Sequence, residues 1–310
     1  MKFAFVFPGQ GSQTIGMLSE LNSNYSAVKN TFDEASEILG YDLWKLSQDG
    51  PKETLNQTDK TQPILLAAGV SIWRVWQQES DHNPELMAGH SFGEYTALVC
   101  AGALKYNDAI SLAENRGKFM QNAVLEGEGA MAAILGLSDD KTTQACNAAA
   151  QDQVVTAVNF NAPGQVVIAG HTDAVKRAII KTKEAGAKKA ILLAVSVPSH
   201  SSLMQPAADK MQERLATVEI VSPTIPVIHN VDVAIKTEPD AIKAALVAQL
   251  HSPVRWVETI NKIADTGIDL LFESGPGKVL TGLNKRINKS MTAKPIINLK
   301  TLEQALEALG

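Results

Sequence analysis

The chain has 310 residues, 45% of them apolar and 20% charged, enough to bury one large α/β core with an insertion or two modest cores. No apolar run approaches the length of a membrane span, and the run ahead of Pro8 and Gly9 is too short for a signal-peptide core, so a cytoplasmic location is expected. A formal net charge of -5 argues against a general nucleic-acid binder, and two cysteines, Cys100 and Cys146, supply neither a disulfide framework nor a Cys-based metal site. Both are expected to be small buried apolar residues.

In chain order, KFAFVF (2–7) reads as a buried strand running into a glycine-rich loop, and apolar spacing predicts helices near 25–39 and 61–78. Leu86 to Gly89 reads as a second strand, a parallel neighbour of the first, and Glu94 to Gly102 and Asp108 to Val124 read as helices. After Gly127 the rhythm changes. Strands at 131–135, 154–158, 165–169 and 189–195, with helical runs after the first and third, give the order β-α-β-β-α-β of the ferredoxin-like split motif. Strands at 226–230 and 269–273 then return to the first pattern. The expected architecture is therefore α/β, with a parallel-sheet core from residues 1–125 and 198–310 and a ferredoxin-like subdomain inserted at 126–197.

Gly89-His90-Ser91-Phe92-Gly93 places a G-x-S-x-G pentapeptide between a short strand and a helix. That is the setting of a nucleophile elbow, where flanking glycines permit a tight turn that lifts the serine hydroxyl to the strand end. The helix that follows points its first amides at the oxyanion formed on attack, and the Phe92 amide is the expected donor.

Serine needs a general base, normally histidine. His90 lies on the turn itself, where its side chain points away and serves packing or orientation. His82 sits in a polar loop, His171 in a turn, and His229 in a strand pattern that suits a structural role. His200 ends the segment Ser196-Val197-Pro198-Ser199-His200, a loop between a strand and a helix, which is the kind of position that carries catalytic groups. His251 is the second candidate. No Asp or Glu stands out as the third member of a triad, which leaves open a dyad oriented by a main-chain carbonyl.

Gly9-Gln10-Gly11-Ser12-Gln13 follows the first strand but is not a nucleotide loop. Thr14 occupies the third glycine position of G-x-G-x-x-G, and no G-K-[ST] follows. The loop is better suited to bringing a backbone amide, notably that of Gln10, to a neighbouring strand end as a second oxyanion donor. Basic residues gather at Lys176, Arg177, Lys181, Lys183, Lys188 and Lys189, and again at Lys285, Arg286, Lys289, Lys294 and Lys300. Such patches suit an acidic partner and equally suit solvated helix faces.

Taken together, GQGSQ (9–13), GHSFGEY (89–95), the arginine in ENRGKFMQ (114–121), NAPGQVVIAG (161–170), VSVPSH (195–200) and ESGPGKVL (273–280) closely resemble the bacterial malonyl-CoA:acyl carrier protein transacylases, over nearly the whole chain. The resemblance implies an α/β-hydrolase-like core with a ferredoxin-like insertion. It also implies that Ser91 is acylated, that His200 is general base and acid, and that a main-chain carbonyl near Gln249 orients the imidazole. It further assigns the Gln10 and Phe92 amides to the oxyanion hole and Arg116 to the free malonyl carboxylate, which a planar guanidinium can hold bidentately. Phe92 stands where relatives often carry a smaller aliphatic residue, so a narrower pocket is expected. The implied reaction passes the malonyl group from coenzyme A to Ser91 and then to the pantetheine thiol of acyl carrier protein, by a monomer needing no metal or redox cofactor. The carrier is expected to serve fatty-acid synthesis, with polyketide synthesis as the alternative, and a thioesterase or esterase is the rival enzyme class because it shares the pentapeptide.

Overall fold

The computed structural model describes residues 2–195 and 197–310; Met1, and Ser196 at the head of the segment that ends in His200, lie outside the described residues. Strand β1 (Phe3–Phe7) is followed by helices α1 (Ser19–Asn24), α2 (Ser26–Leu39), α3 (Leu43–Asp49), α4 (Lys52–Leu55) and α5 (Thr58–Glu79). Strand β2 (Leu86–Gly89), α6 (Gly93–Cys100) and α7 (Tyr106–Gln121) complete the first part. Next come β3 (Gly129–Leu135), α8 (Asp139–Ala150), β4 (Val155–Ala162), β5 (Gln165–His171), α9 (Thr172–Glu184) and β6 (Lys189–Leu192). The chain ends with α10 (Gln205–Ala216), β7 (Val227–Ile228), α11 (Pro239–Gln249), α12 (Trp256–Asp265), β8 (Leu270–Ser274), α13 (Val279–Ile287), β9 (Thr292–Ile296) and α14 (Leu299–Glu307).

Five of these strands form one parallel sheet in the order β7-β2-β1-β8-β9, with β1 at its centre and β2 beside it as expected. A central strand is covered on both faces, which is why FAFVF carries no polar residue. Because successive side chains point to opposite faces, the sheet sorts its residues by parity. Phe3, Phe5, Phe7, Met87, Val227 and Phe272 face a core built with α2, α5, α7 and α10. Ala4, Val6, Leu86, Ala88, Ile228 and Leu271 face a second core with α12 and α13. The first face is aromatic: Phe5 lies edge-on to Trp76 at 5.2 Å between ring centroids, and Phe3 edge-on to Phe272 at 5.4 Å.

The remaining strands form an antiparallel sheet in the order β4-β5-β3-β6, the arrangement that the β-α-β-β-α-β reading requires. One face packs on α8 and α9 through Ala132, Ile134, Cys146, Ile168 and Val175. The other presents Met131, Val158, Val167 and Ala169 toward the parallel sheet's helical surroundings and the cleft described below. The main chain stitches the two parts, since Phe160 donates to the Val254 carbonyl at 3.0 Å and Val254 to that of Val158 at 2.8 Å. Cys100 and Cys146 are buried and free.

Three strand expectations change. The strand expected over 189–195 ends at Leu192, because Leu193, Val195 and Val197 turn away to line the cleft. That expected over 226–230 is only Val227–Ile228, because the Asn230 amide leaves the ladder to donate to a buried carboxylate, Glu94, at 2.9 Å. Strand β9 was not anticipated: Thr292, Lys294 and Pro295 break its apolar run, and a lysine and a proline are tolerated there because the strand lies at the sheet edge.

Glu273, on β8, fixes how α13 begins. Its buried carboxylate accepts from the amides of Leu280 and Thr281 at 3.0 and 2.6 Å and from the Thr281 hydroxyl at 2.7 Å, occupying donors that a helix start leaves free. Burial pushes its pKa up even against those three bonds. Glu273→Ala leaves these amides without an acceptor in a dry site, and urea unfolding is expected to show a loss of about 2–4 kcal/mol.

Candidate active site

Two close approaches demand the glycines around the serine. A Cβ on Gly89 would lie 1.9 Å from the Gly93 carbonyl carbon, and one on Gly93 would lie 2.0 Å from the Phe7 carbonyl oxygen. With β1, β2 and α6 so close, the chain turns at Ser91 with φ of 51°, a left-handed conformation that a non-glycine residue adopts at a cost. Asn230 pins the turn from below: its Oδ1 accepts from the Ser91 amide at 2.7 Å and its Nδ2 donates to the Gly89 carbonyl at 2.6 Å. Ser91 therefore stands at the carboxyl end of β2, where a parallel sheet leaves a crevice for ligands.

The hydroxyl meets His200, whose Nε2 lies 2.7 Å from Ser91 Oγ although 109 residues separate the two. On the other side of the ring, Nδ1 lies 2.8 Å from the Gln249 main-chain carbonyl. A carbonyl can only accept, so Nδ1 carries the proton and Nε2 is free to take one from Ser91. His200 is held with φ of 67°, and its amide donates to the Leu250 carbonyl at 2.9 Å. Burial first, and the Arg116 guanidinium second, push its pKa down to about 3. The resting imidazole is neutral, as a base must be.

The other histidines have different surroundings. His90 Nε2 lies 2.7 Å from Asn161 Oδ1 and the ring sits edge-on to Trp256, in keeping with a packing or orienting role. His171 Nδ1 accepts from the Val154 amide, and the His82 carbonyl accepts from Trp76. His251, the second candidate for the base, instead lines a separate hollow with Gln212 and Lys243, between α10 and α11.

Ser91, His200, Gly9, Gln10 and His90 line a cleft of ≈ 220 Å³. Its walls are Met131 and Val167 from the antiparallel sheet, Leu193 just past β6, and Val279, Leu280 and Leu283 from α13, with Asn159 and Asn161 the polar groups of β4. The main-chain amides of Gln10 and Phe92 donate to no protein acceptor among the described residues. The Phe92 ring does not narrow the cleft. It is buried, absent from the lining, and stacked on Tyr95 at 5.5 Å, where the two rings back the Arg116 guanidinium at 5.8 and 5.6 Å.

Arg116, on α7, is only 1% exposed. Its Nη2 donates to Gln249 Oε1 at 2.9 Å, while its Nε has no partner and no carboxylate lies within ion-pair distance among the described residues. A buried cation without a paired anion is costly, and burial accordingly lowers its pKa, against the opposing pull of Tyr95 and Glu94. Arg116 does not itself line the cleft, but it keeps donor capacity of the kind that a carboxylate fills.

Sequence reasoning missed the polar framework beneath these groups. Glu94, fully buried in the first turn of α6, accepts from His229 Nδ1 at 2.7 Å, from the Asn230 amide at 2.9 Å and from Gln249 Nε2 at 2.9 Å. Gln249 Nε2 also donates to the Ser91 carbonyl at 3.0 Å. The only signal in the chain was a carboxylate directly after Gly93 in an otherwise apolar helix. Of the basic residues, Arg177 is not a free surface cation: it bonds the carbonyls of Ala149 and Ala150 and Gln153 Oε1.

Comparison with known proteins matches this arrangement to one family. A family model for the acyl transferase domain covers residues 4–298. The malonyl CoA-acyl carrier protein transacylase of Salmonella typhimurium is 57% identical over 98% of this chain and 99% of its own length. The crystal structure of an acyl carrier protein S-malonyltransferase from Vibrio cholerae superposes with a TM-score of 0.97 at 57% identity, over 98% of this chain and 100% of that one. A malonyl-transacylase solved in complex with a type II polyketide synthase acyl-carrier protein superposes with a TM-score of 0.98 at 55% identity, over 99% and 100% of the two chains. With the serine elbow, the imidazole and the buried guanidinium in the same fold, this chain belongs to the acyl transferase family, among the malonyl CoA-acyl carrier protein transacylases.

Proposed function

We propose that the chain transfers a malonyl group from malonyl-CoA to the phosphopantetheine thiol of an acyl carrier protein through a malonyl ester on Ser91. The observation that carries this reading is the junction of a 2.7 Å Ser91–His200 hydrogen bond with a buried arginine that lacks a paired carboxylate. His200 Nε2 removes the Ser91 proton as Oγ attacks the thioester carbonyl. The tetrahedral oxyanion is met by the Gln10 and Phe92 amides. As it collapses the carbon–sulfur bond breaks, the imidazolium returns the proton to the departing thiolate, and coenzyme A leaves. The carrier's thiol then gives its proton to His200, attacks the ester carbonyl and displaces Ser91 Oγ, which recovers the proton.

Arg116 selects the acyl group. Its free N–H groups pair with the distal malonyl carboxylate, whereas an acetyl group would leave the buried cation unpaired. The apolar walls of the cleft, interrupted by Asn159 and Asn161, suit a pantetheine arm, apolar along its length with amides at intervals. The chain is read as a monomer acting on carriers of fatty-acid synthesis. A polyketide carrier is a second acceptor, favoured by the complex formed by the relative at 55% identity.

Mixing the protein with malonyl-CoA is expected to add one malonyl group by intact mass, and Ser91→Ala to abolish the adduct and lower transfer on the order of 10⁴-fold or more. An unchanged adduct in the variant removes Ser91 from the reaction, and free malonate released as fast as carrier is loaded identifies a hydrolase. Arg116→Ala is expected to lower malonyl kcat/KM about 10²-fold with acetyl transfer spared; preserved selectivity in competition assays excludes Arg116 from the acyl site. Because the folded pKa of His200 lies below its ordinary value, the neutral base persists as pH falls. The acid limb of kcat/KM for acylation is therefore expected below about pH 5, and a limb near the ordinary histidine value of about 6.5 contradicts this.

A further inference from the structure

Three groups on which the reaction depends come from distant parts of the chain: Ser91 from the elbow, His200 from the loop before α10, and Arg116 from α7. One carboxylate touches what holds all three. Fully buried carboxylates are rare unless their acceptor capacity is filled, and Glu94 fills it with three donors, His229 and two that have a second task. The Asn230 amide binds Glu94 Oε2, while the Asn230 side chain pins the Ser91 amide and the Gly89 carbonyl. Gln249 Nε2 binds the same oxygen, while Gln249 Oε1 receives Arg116 and the Gln249 main-chain carbonyl receives His200.

A carboxylate only accepts, so it dictates which end of the Gln249 amide faces it. The amino end must point to Glu94 and to the Ser91 carbonyl, 2.9 and 3.0 Å away, which turns the carbonyl end toward the guanidinium. Were the amide reversed, its NH₂ would face Arg116, donor against donor, and its oxygen would face the carboxylate. We propose that Glu94 is the positioning residue of the site: by fixing the Gln249 amide and the Asn230 backbone it sets both the aim of Arg116 and the placing of Ser91 against His200. Acyl selectivity and nucleophile activation thus share one anchor. This rests on the transfer reaction proposed above.

Side-chain length and charge make different demands here, and substitution separates them. In Glu94→Gln the side-chain oxygen keeps the Oε2 position, because the Asn230 main-chain amide still requires an acceptor there, and so keeps Gln249 oriented. Its NH₂ then faces His229, whose ring can move its proton to Nε2, a nitrogen that has no partner among the described residues. Glu94→Asp keeps the charge but is one methylene too short to reach Gln249 and Asn230 together. Glu94→Ala removes the anchor altogether.

The test is malonyl and acetyl transfer by the three variants, with rates normalised to active sites titrated by the malonyl adduct, so that misfolded protein does not count. Glu94→Gln is expected within about tenfold of wild type in kcat, with malonyl preference retained. Glu94→Asp and Glu94→Ala are expected to fall about 10²-fold in kcat per active site and to lose about tenfold or more of the preference for malonyl over acetyl. If Glu94→Ala does not fold, the contrast between the Asp and Gln variants decides. An Asp variant that keeps wild-type selectivity and rate, or a Gln variant as impaired as Asp, overturns the proposal. Absence of a malonyl adduct on the wild-type protein would instead overturn the underlying reaction, and with it the positioning role.

Discussion

One hydrogen bond, between Ser91 Oγ and His200 Nε2, is the constraint around which the rest of the molecule is arranged. Its two ends belong to segments 109 residues apart, and both residues sit in left-handed backbone conformations that an isolated chain would leave. Each is over-determined by its surroundings. At the serine, glycine contacts with β1 and α6 and two bonds from Asn230 close the turn. At the histidine, the Leu250 and Gln249 carbonyls hold amide and ring. The intervening antiparallel sheet is not a spacer, for its open face forms a wall of the cleft in which the bond stands.

The orienting carbonyl gives the site an unusual charge balance. In a triad the third group is an anion that stabilises the imidazolium; here it is a neutral dipole, and after burial the Arg116 cation does most to hold the histidine's pKa low. The arginine thus opposes protonation of His200 while the site is empty. In the proposed reaction a carboxylate on that arginine would offset its charge and ease protonation of His200, so acyl binding and base strength would be coupled through Coulomb interaction.

Much of this was legible in the residues, for reasons that differ by element. The continuous apolar run of β1 and the Gly-x-Ser-x-Gly turn have local causes, so short windows of sequence reveal them. The split motif was readable because its strands and helices follow each other at short range. Strand β9 was not, since an edge strand needs no apolar run and carries Lys294 and Pro295. Nor was Glu94 readable, because a charge in the first turn of a helix is usually solvated, and only the fold brings His229, Asn230 and Gln249 over it. Phe92 misled in the other direction: a ring where relatives often carry a smaller aliphatic residue suggests a narrower pocket, but on this tight turn the ring lies away from the cleft, against Tyr95.

The unequal faces of β1 tie the Gly9–Gln10 loop to the interior of the protein. Rings at Phe3, Phe5 and Phe7 fill one layer and the small side chains of Ala4 and Val6 fill the other, so the strand cannot slide by a single residue without forcing phenylalanines into a space cut for alanine. That same step would carry Gly9 and Gln10 along the strand axis by about 3.3 Å, more than the length of a hydrogen bond. Aromatic bulk deep in the molecule therefore acts as a ruler for a main-chain amide at the surface, and a one-residue insertion or deletion in this first strand would displace that amide even in a chain that still collapsed.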